Sequence, residues 1–208
     1  MKPESRCGWC DTGSALSIDY HDSEWGVPLA DDRALFQMLV LEGMQAGLSW
    51  LTVLKKRRSF VKAFDGFDPA VVAGYPKSKR EALQGDRAII RNRLKINSAV
   101  NNAAVVLELQ RQYGSFARYL WGWVNYRPID NRNLRLEEVP AETELSRRIA
   151  KDLKKRGMNF VGPTIIYALM QSIGMVNDHL LCCFRHEQCR RLGEKFARGW
   201  EENPDLGG

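Results

Sequence analysis

The sequence predicts an all-α protein. Apolar residues recur at helical spacing over most of the 208 residues, and no segment shows the apolar–polar alternation of a half-buried strand. Ser, Asp or Asn, which cap helices, precede several of these stretches, and glycine or proline marks their ends. The apolar fraction of 44% supplies a substantial core. We therefore expect two helical lobes around a cleft.

The first half of the chain contains three predicted helices with recognisable starting residues. Asp31 or Asp32 can cap a helix that extends to about Gln45, and Ser49 can cap the next one. Asp68 stands directly before a proline, a combination typical of a helix start because the first helical residue needs no N–H partner. These helices would carry most of the N-terminal lobe.

A long helix, a short aromatic helix and a loop follow. Residues 92–113 have helical periodicity and end at Gly114, and Ser115 can start the aromatic helix. Residues 127–140 are polar and contain two prolines, so we expect a long surface connection. No internal repeat is present.

The last third predicts a pair of helices and a final helix. The pair covers residues 142–156 and 164–173, and the final helix would begin near Asn177. From about Gly199 the sequence is interrupted by glycine and proline, which predicts a frayed end. We divide the chain into one helical domain, residues 1–187, with a hairpin at about 145–173, and a partly frayed extension, residues 188–208.

Charge and composition limit the class of protein. Lys and Arg number 31 against 25 Asp and Glu, a net charge of +6 that favours a polyanionic partner such as nucleic acid. No apolar run approaches the roughly 20 residues that cross a bilayer. The first residues lack the apolar core of a signal peptide. We expect a cytoplasmic location and no membrane partner.

A basic hairpin is predicted between residues 153 and 163. Gly157 and Gly162 bound its turn, and glycine lets a backbone approach a ligand closely. Lys154 and Lys155 add positive charge that suits DNA phosphates, as do the free N–H groups at the start of the second helix. The alternative is an ordinary helical hairpin with a solvated basic end.

Cysteine and histidine residues near both ends of the chain form a candidate metal site. His179 and Cys183 are four residues apart, which would place both on one helical face. The N-terminal segment supplies Cys7 and His21, with Cys10 as a further candidate. Imidazole and thiolate ligands together suit tetrahedral zinc. The alternative is a set of buried free cysteines around a core histidine.

A single acid, Glu42, stands in an apolar part of the sequence. It follows an apolar helical run and precedes two glycines and a tryptophan within eight residues. Burial of a carboxylate without a partner is costly. Trp9, Tyr20 and Trp50 could surround it in one pocket. The alternative is a tryptophan-rich core from which the Glu42 side chain reaches outward.

Six segments resemble signatures of the bacterial 3-methyladenine DNA glycosylase I family, which belongs to the helix-hairpin-helix superfamily. They are residues 6–9 (RCGW), 20–28 (YHDSEWGVP), 41–50 (LEGMQAGLSW), 89–93 (IIRNR), 153–162 (LKKRGMNFVG) and 176–179 (VNDH). The matches follow one another in family order from residue 6 to about 183. The resemblance therefore covers nearly the whole chain.

The resemblance implies one structural zinc ion that ties the two chain ends together, away from the chemistry. The implied ligands are Cys7, His21, His179 and Cys183. Cys10 and Cys182 are additional thiols close to these ligands in sequence, so the choice of ligands remains open at this point.

The resemblance also implies a pocket for an extruded base. Glu42 would be the catalytic residue and, with Tyr20, would make polar contacts to the base. Trp50 would stack on the base, and Trp9 would line the pocket. The implied reaction is hydrolysis of the N-glycosidic bond of 3-methyladenine, which leaves an abasic site. No lysine stands out as a Schiff-base nucleophile, so no strand cleavage is expected.

The implied partner is double-stranded alkylated DNA, with free 3-methyladenine as the product and a monomeric protein. Leu48, in a loop beside the pocket, would fill the gap left by the extruded base. The residues expected to contact DNA are Leu48, Lys154, Lys155, Gly157 and Gly162.

The sequence departs from the family pattern at several positions. Met44 stands where glutamine is expected, and Ser17 where an aromatic residue is expected. Superfamily members commonly carry an aspartate in a Val-Asp-x-His pattern, and Asn177 occupies its place here. We therefore predict no general base there, and expect Asp178 to cap a helix or to support His179.

Two other classes of protein fit parts of the sequence. One is a module that binds alkylated DNA or bases without cleaving them. The other is a zinc-stabilised helical scaffold with no role on DNA. Release of free base from methylated DNA distinguishes the first class from an enzyme, and salt-dependent DNA binding excludes the second.

Overall fold

The computed structural model describes residues 5–202, and its architecture is almost entirely helical, as the sequence predicted. The α-helices of this part of the chain are α1 (Ala15–Asp19), α2 (Asp32–Gln45), α3 (Trp50–Ala63), α4 (Pro69–Ala73), α5 (Lys77–Gly85), α6 (Arg93–Tyr113), α7 (Phe116–Gly122), α8 (Glu144–Lys155), α9 (Pro163–Ser172) and α10 (Phe184–Glu202). A π-helical turn covers Tyr20–Glu24, and 3₁₀ turns cover Asp65–Phe67 and Leu136–Glu138. Between residues 5 and 202, no helix combines the length and apolar character needed to span a membrane.

The helix starts follow the predicted capping residues. Asp31 accepts a hydrogen bond from the Ala34 N–H at 2.8 Å and caps α2. Its neighbour Asp32 instead accepts hydrogen bonds from the N–H groups that open α7, including that of Ala117 at 2.7 Å. Ser49 caps α3 and Asn92 caps α6, as predicted. Local hydrogen-bonding chemistry thus sets the boundaries of the long helices.

Helix α2 lies at the centre of the molecule and packs against α3, α6, α7 and α9. Nine of its residues are buried. The turn between α8 and α9 packs against this helix at Gly43, where a Cβ atom would stand at an ordinary contact distance of 3.5 Å from Phe160 Cβ. The central position of α2 carries Glu42 into the interior.

One short pair of strands corrects the expectation that the chain has no strand. Ile129–Asp130 (β1) pairs in parallel with Val176–Asn177 (β2). The Ile129 N–H donates to the Met175 carbonyl at 3.0 Å, which holds the long connection against the segment after α9. Two residues are too short to show strand alternation, so the sequence carries no signal for this pair.

The segment between α9 and α10 differs from its prediction. Residues 178–183 form a loop, and the last helix begins at Phe184 rather than near Asn177. The Phe184 N–H donates to the Ser5 carbonyl at 3.1 Å, so this loop runs beside the N-terminal segment. Helix α10 continues through Gly199 to Glu202, and Trp200 is buried. The rest of the predicted frayed end, residues 203–208, lies outside the described residues.

Candidate functional site

Four metal-ligating side chains from the two ends of the chain meet in the interior. The candidate ligand atoms of Cys7, His21, His179 and Cys183 all lie within 4.8 Å of one another, and all four residues are buried. Cys7 Sγ is 3.4 Å from His179 Nδ1, and Cys183 Sγ is 3.5 Å from His21 Nε2. A tetrahedral zinc ion with sulfur and nitrogen ligands has ligand–ligand distances of about 3.5 Å. The geometry of this cluster, called the metal cluster below, therefore fits such an ion.

Hydrogen bonds outside the metal cluster turn both imidazoles toward its centre. His21 Nδ1 lies 2.7 Å from Asp22 Oδ1, and His179 Nε2 lies 2.9 Å from the Trp25 carbonyl oxygen. A ring nitrogen that donates to an oxygen leaves the other nitrogen with its lone pair for a metal. Both lone pairs then face the two sulfur atoms.

The pKa values of the Cys7 and Cys183 thiols are shifted in opposite directions. Hydrogen bonding to Cys7, then to the two imidazoles, lowers the pKa of Cys183, whereas the same thiol pair and burial raise the pKa of Cys7. Cys183 thus offers a thiolate, the form that binds metals. Cys10 takes no part, since its Sγ lies 3.7 Å from the Ser17 carbonyl, and Cys182 is exposed.

The prediction that His179 and Cys183 lie on one face of a helix was wrong, although the structure does bring the two side chains together. Both residues lie in the loop before α10, not on a helix. A turn with a hydrogen bond of 2.7 Å from the Cys183 N–H to the Leu180 carbonyl brings Cys183 back toward His179. Cys183 Sγ and His179 Nδ1 are 3.6 Å apart.

A cavity of about 320 Å³ lies between α2 and α9, directly beside the metal cluster. Its wall includes Trp9, Tyr20, Glu42 and Trp50, all predicted pocket residues. Cys7 also contributes to this wall. The metal cluster and the cavity therefore share one residue, Cys7.

Glu42 is 4% exposed and lies in the wall of the cavity. Burial raises the pKa of its carboxyl to about 8, and a hydrogen bond to Ser172 opposes this shift only in part. Among the described residues, no cation forms an ion pair with Glu42. The alternative in which this side chain reaches outward is excluded by its burial. A pKa of about 8 favours the protonated form of Glu42 at neutral pH.

Aromatic rings surround the acid. The Tyr20 and Trp50 ring centroids are 5.2 Å apart, and Trp9 meets Tyr20 edge-on at 6.3 Å. Trp25, which was not among the predicted pocket residues, also lines the cavity and lies 4.8 Å from Trp9. Burial, then the charge of Glu42, raises the pKa of Tyr20, so its hydroxyl stays protonated and can donate.

A second acid, Asp178, lines the same cavity and is 2% exposed. Asn131 and Asn133 donate to Oδ1 at 2.7 and 3.2 Å, and Tyr167 and Gln171 each donate to Oδ2 at 2.7 Å. The residue neither caps a helix nor hydrogen-bonds His179, which corrects the predicted role. Its two oxygens therefore accept hydrogen bonds from four neutral donors, so this buried acid has partners within the protein.

The cavity wall contains residues that the sequence did not identify. Gln45 lies one turn after Glu42 on α2, and Tyr167 and Gln171 lie on one face of α9. Leu136 and Val139 come from the long connection predicted to lie on the surface. Gln45 belongs to the 41–50 signature but had no predicted role, and the other four residues belong to no motif, so only the folded chain places them together.

Met44 and Ser17, two of the departures from the family pattern, lie outside the wall of this cavity. Met44 is 1% exposed in the core, and Ser17 is buried against Cys10, where the two side chains are in contact at 3.8 Å. The lining of the cavity contains neither residue. Neither side chain is therefore placed to contact a molecule in the cavity.

Leu48 lies at the exposed tip of the loop between α2 and α3. Its side chain is 43% exposed. It borders a groove of about 230 Å³ that shares Glu42, Gln45, Thr164 and Ala168 with the wall of the cavity. The loop thus stands beside the mouth of the cavity.

The predicted hairpin is formed by α8, a short turn and α9. Lys154, Lys155 and Gly157 are exposed at the turn, and Gly157 has a φ of +98°, which only glycine adopts without strain. Gly162 precedes Pro163 at the start of α9. The Asn102 side chain on α6 holds the turn by accepting from the Asn159 N–H at 2.9 Å and donating to its carbonyl at 2.8 Å.

Comparisons with known proteins agree on one family. Residues 9–186 match the model of the methyladenine glycosylase family. The chain is 45% identical over 181 residues to DNA-3-methyladenine glycosylase 1 of Escherichia coli (strain K12), an alignment that covers 86% of this chain and 96% of that protein. A crystal structure of 3-methyladenine DNA glycosylase I has a TM-score of 0.84 at 45% identity and covers 86% and 98% of the two chains. A phenylalanine-for-tyrosine variant of 3-methyladenine DNA glycosylase I in complex with 3-methyladenine has a TM-score of 0.83 at 34% identity, with 86% and 96% covered.

Proposed function

This chain belongs to the methyladenine glycosylase family, and we propose that it hydrolyses the N-glycosidic bond of 3-methyladenine in double-stranded DNA. The reaction releases the free base and leaves an abasic site without cutting the strand. The observation that carries this proposal is Glu42, a buried acid without a cationic partner among the described residues, in an aromatic cavity of about 320 Å³. A cavity of that size suits a single small molecule such as a purine.

The charge of the substrate explains why an acid without a cationic partner is useful. Alkylation at N3 gives the adenine of a nucleotide a positive charge. Aromatic faces attract such a desolvated cation by about 2 kcal/mol. A cation in the cavity also favours the ionised form of Glu42, so the carboxylate forms when the damaged base arrives and makes a charge-assisted hydrogen bond with it. Neutral adenine gains neither contribution.

The reaction itself needs limited help, because the substrate is already activated. The bond between C1′ and the purine breaks, and its electron pair neutralises the positive charge of the departing base. Water adds to C1′ and releases a proton. Asp178 supplies negative charge to the site in which positive charge develops on the sugar. Its oxygens already accept four hydrogen bonds, so we assign it an electrostatic role rather than that of a general base.

The base must leave the duplex to reach the cavity, which costs a few kcal/mol. We propose that Leu48 fills the gap left in the stack, since it is exposed at the mouth of the cavity. We also propose that α8 and α9 form a helix-hairpin-helix that holds DNA phosphates. Lys154, Lys155 and the backbone between Gly157 and Gly162 would make these contacts.

We propose that the metal cluster holds one structural zinc ion through Cys7, His21, His179 and Cys183. Four protein ligands leave no position for a substrate, so the ion would stabilise the fold and take no part in the reaction. We also propose that the protein acts as a monomer. A DNA substrate agrees with the predicted cytoplasmic location.

Release of free base from methylated DNA by the purified protein tests the function. We expect Glu42→Gln to lower kcat/KM by about 100-fold or more, because the variant cannot ionise when the cation enters. Glu24→Gln is the matched control, since Glu24 is a glutamate whose ion pair with Arg57 lies outside the cavity wall. Binding of methylated DNA without release of base would indicate the non-catalytic binding module instead.

A further inference from the structure

Lys95 is a buried lysine whose ammonium contacts the end of another helix. It lies in the first turn of α6 and is 7% exposed. Its Nζ donates to the Met44 carbonyl at 2.9 Å and to the Ala46 carbonyl at 2.6 Å. Both carbonyls belong to the C-terminal end of α2, where backbone acceptors have no partner within the helix. Lys95 thus caps α2 from outside.

The capped end of α2 leads directly into the loop that presents Leu48. Gly47 has a φ of +78°, and the Leu48 N–H donates to the Gln45 carbonyl at 2.6 Å. Ser49 then caps α3. The exposed Leu48 side chain therefore belongs to a four-residue link, residues 46–49, between the ends of two helices. Lys95 holds one of these ends.

The Lys95 ammonium reaches a carbonyl inside the protein. Residues 46–49 are exposed, but Met44 is 1% exposed, and the contact between Lys95 Nζ and its carbonyl is buried. Removal of an ammonium from water is costly, and burial lowers the pKa of Lys95. The two carbonyls offset this cost by accepting hydrogen bonds from the ammonium, and the same two contacts tie the start of α6 to the end of α2.

We propose that Lys95 is a positioning residue that fixes residues 46–49 relative to the cavity. Glu42 and Ala46 lie one turn apart on the last part of α2, so the Lys95 contacts set the distance between the acid and Leu48. Leu48 then reaches the gap in the DNA stack while the extruded base lies beside Glu42. This inference depends on the proposed role of Leu48.

A double-mutant cycle tests whether Lys95 acts through Leu48. Lys95→Met, Leu48→Ala and the double variant are compared for binding of a duplex with a tetrahydrofuran abasic analogue and for binding of free 3-methyladenine, followed by tryptophan fluorescence. Residues that act through one another give non-additive effects. We expect Lys95→Met to weaken duplex binding about tenfold in the wild-type background and less than about threefold in the Leu48→Ala background. Binding of the free base should change less than about twofold, because the cavity is intact.

Lys56→Met is the matched control, since Lys56 Nζ also bridges two backbone carbonyls, those of Arg87 and Ala88, each at 3.1 Å. It should leave duplex binding unchanged, and Lys95→Arg, which keeps a charged donor, should restore part of the lost affinity. If Lys95→Met does not fold, Lys95→Gln enters the same cycle.

Equal losses for Lys95→Met in both backgrounds, or an equal loss of free-base binding, would overturn the positioning role. If Leu48→Ala binds the duplex as tightly as wild type, the role of Leu48 fails as well, and with it the inference about Lys95. Absence of base release by the wild-type protein would instead contradict the proposed enzymatic function. The three failures are therefore distinguishable.

Discussion

The metal cluster and the cavity are neighbouring buried sites that differ in how fully their polar groups are provided with partners. In the metal cluster, each ligand faces another, and the second nitrogens of His21 and His179 have oxygen partners. In the cavity, Glu42 has Ser172 as its hydrogen-bond partner and keeps a pKa of about 8. The metal cluster therefore contributes to stability, because its polar groups have partners inside the cluster or on neighbouring oxygen atoms. The cavity keeps one acid at a cost to stability, and that acid is available to a ligand.

The largest effect should come from breaking the cluster. Cys183→Ala removes a thiolate and leaves three buried ligands without their common partner. We expect loss of bound metal and a Tm lower by about 10 °C or more, since structural zinc in small domains contributes about 10 kcal/mol. Metal content and calorimetry measure both. Cys182→Ala, the exposed neighbour, should change neither, and equal effects of the two variants would refute the metal cluster.

Removal of the negative charge of Glu42 should raise the stability of the protein, whereas loss of a ligand from the metal cluster should lower it. The pKa of Glu42 is raised from 4.5 to about 8 by burial. Its contribution to the free energy of unfolding is therefore fully present below pH 4.5 and is lost as pH rises toward 8. Within that window the loss amounts to at most roughly 1.4 kcal/mol per pH unit.

Glu42→Gln should remove this pH dependence. We expect the variant and the wild-type protein to have similar stabilities near pH 4.5 and the variant to be the more stable at pH 8.5. Urea unfolding of both proteins across this range is the measurement. A stability difference that stays constant with pH would show that Glu42 does not change its ionisation on unfolding.

Asp178, the second acid of the cavity, resembles the ligands of the metal cluster rather than Glu42, because its carboxyl oxygens already have hydrogen-bond partners in the protein. Asp178→Asn places an amide where four donors converge, and two of them would lose their acceptor. We expect the free energy of unfolding to fall by about 2 kcal/mol, whereas Glu42→Gln raises it at high pH. Asp19→Asn, at an exposed position, is the control. An unchanged stability of Asp178→Asn would contradict the assigned hydrogen bonds.

The smallest effect on stability should come from the exposed lysines at the turn of the hairpin, which line neither buried site. Lys154→Ala combined with Lys155→Ala should leave the Tm within about 1 °C, because exposed charges contribute little. The slope of log Kd for DNA against log salt concentration should become shallower by about the amount expected for the loss of two phosphate contacts. Lys77→Ala combined with Lys195→Ala removes equal charge elsewhere. The same reduction in both double variants would mean that net charge, not the hairpin, sets the slope.

Helix starts could be predicted from the sequence because they depend on nearby residues. Asp31, Ser49, Asn92 and Ser115 each accept a hydrogen bond from an N–H within three residues. The strand pair β1–β2 could not be predicted, since its partners are 47 positions apart and each strand has two residues.

The site was predictable where a motif supplied the residues and not where the fold alone joins them. Glu42, Tyr20, Trp9 and Trp50 line the cavity as the resemblance implied. The role of Asp178 was missed because its donors come from the long connection and from α9, 7 to 47 residues away. Nothing in the local sequence distinguishes such an acid from a helix cap.

The metal cluster has a consequence for how the chain matures. Cys7 and His21 leave the ribosome early, but 172 residues separate Cys7 from His179. Cys7 and His21 therefore remain an incomplete set of ligands until nearly the whole catalytic domain has been synthesised. A nascent chain that stalls before His179 cannot close the site. The four side chains of the metal cluster therefore cannot meet until translation has passed Cys183.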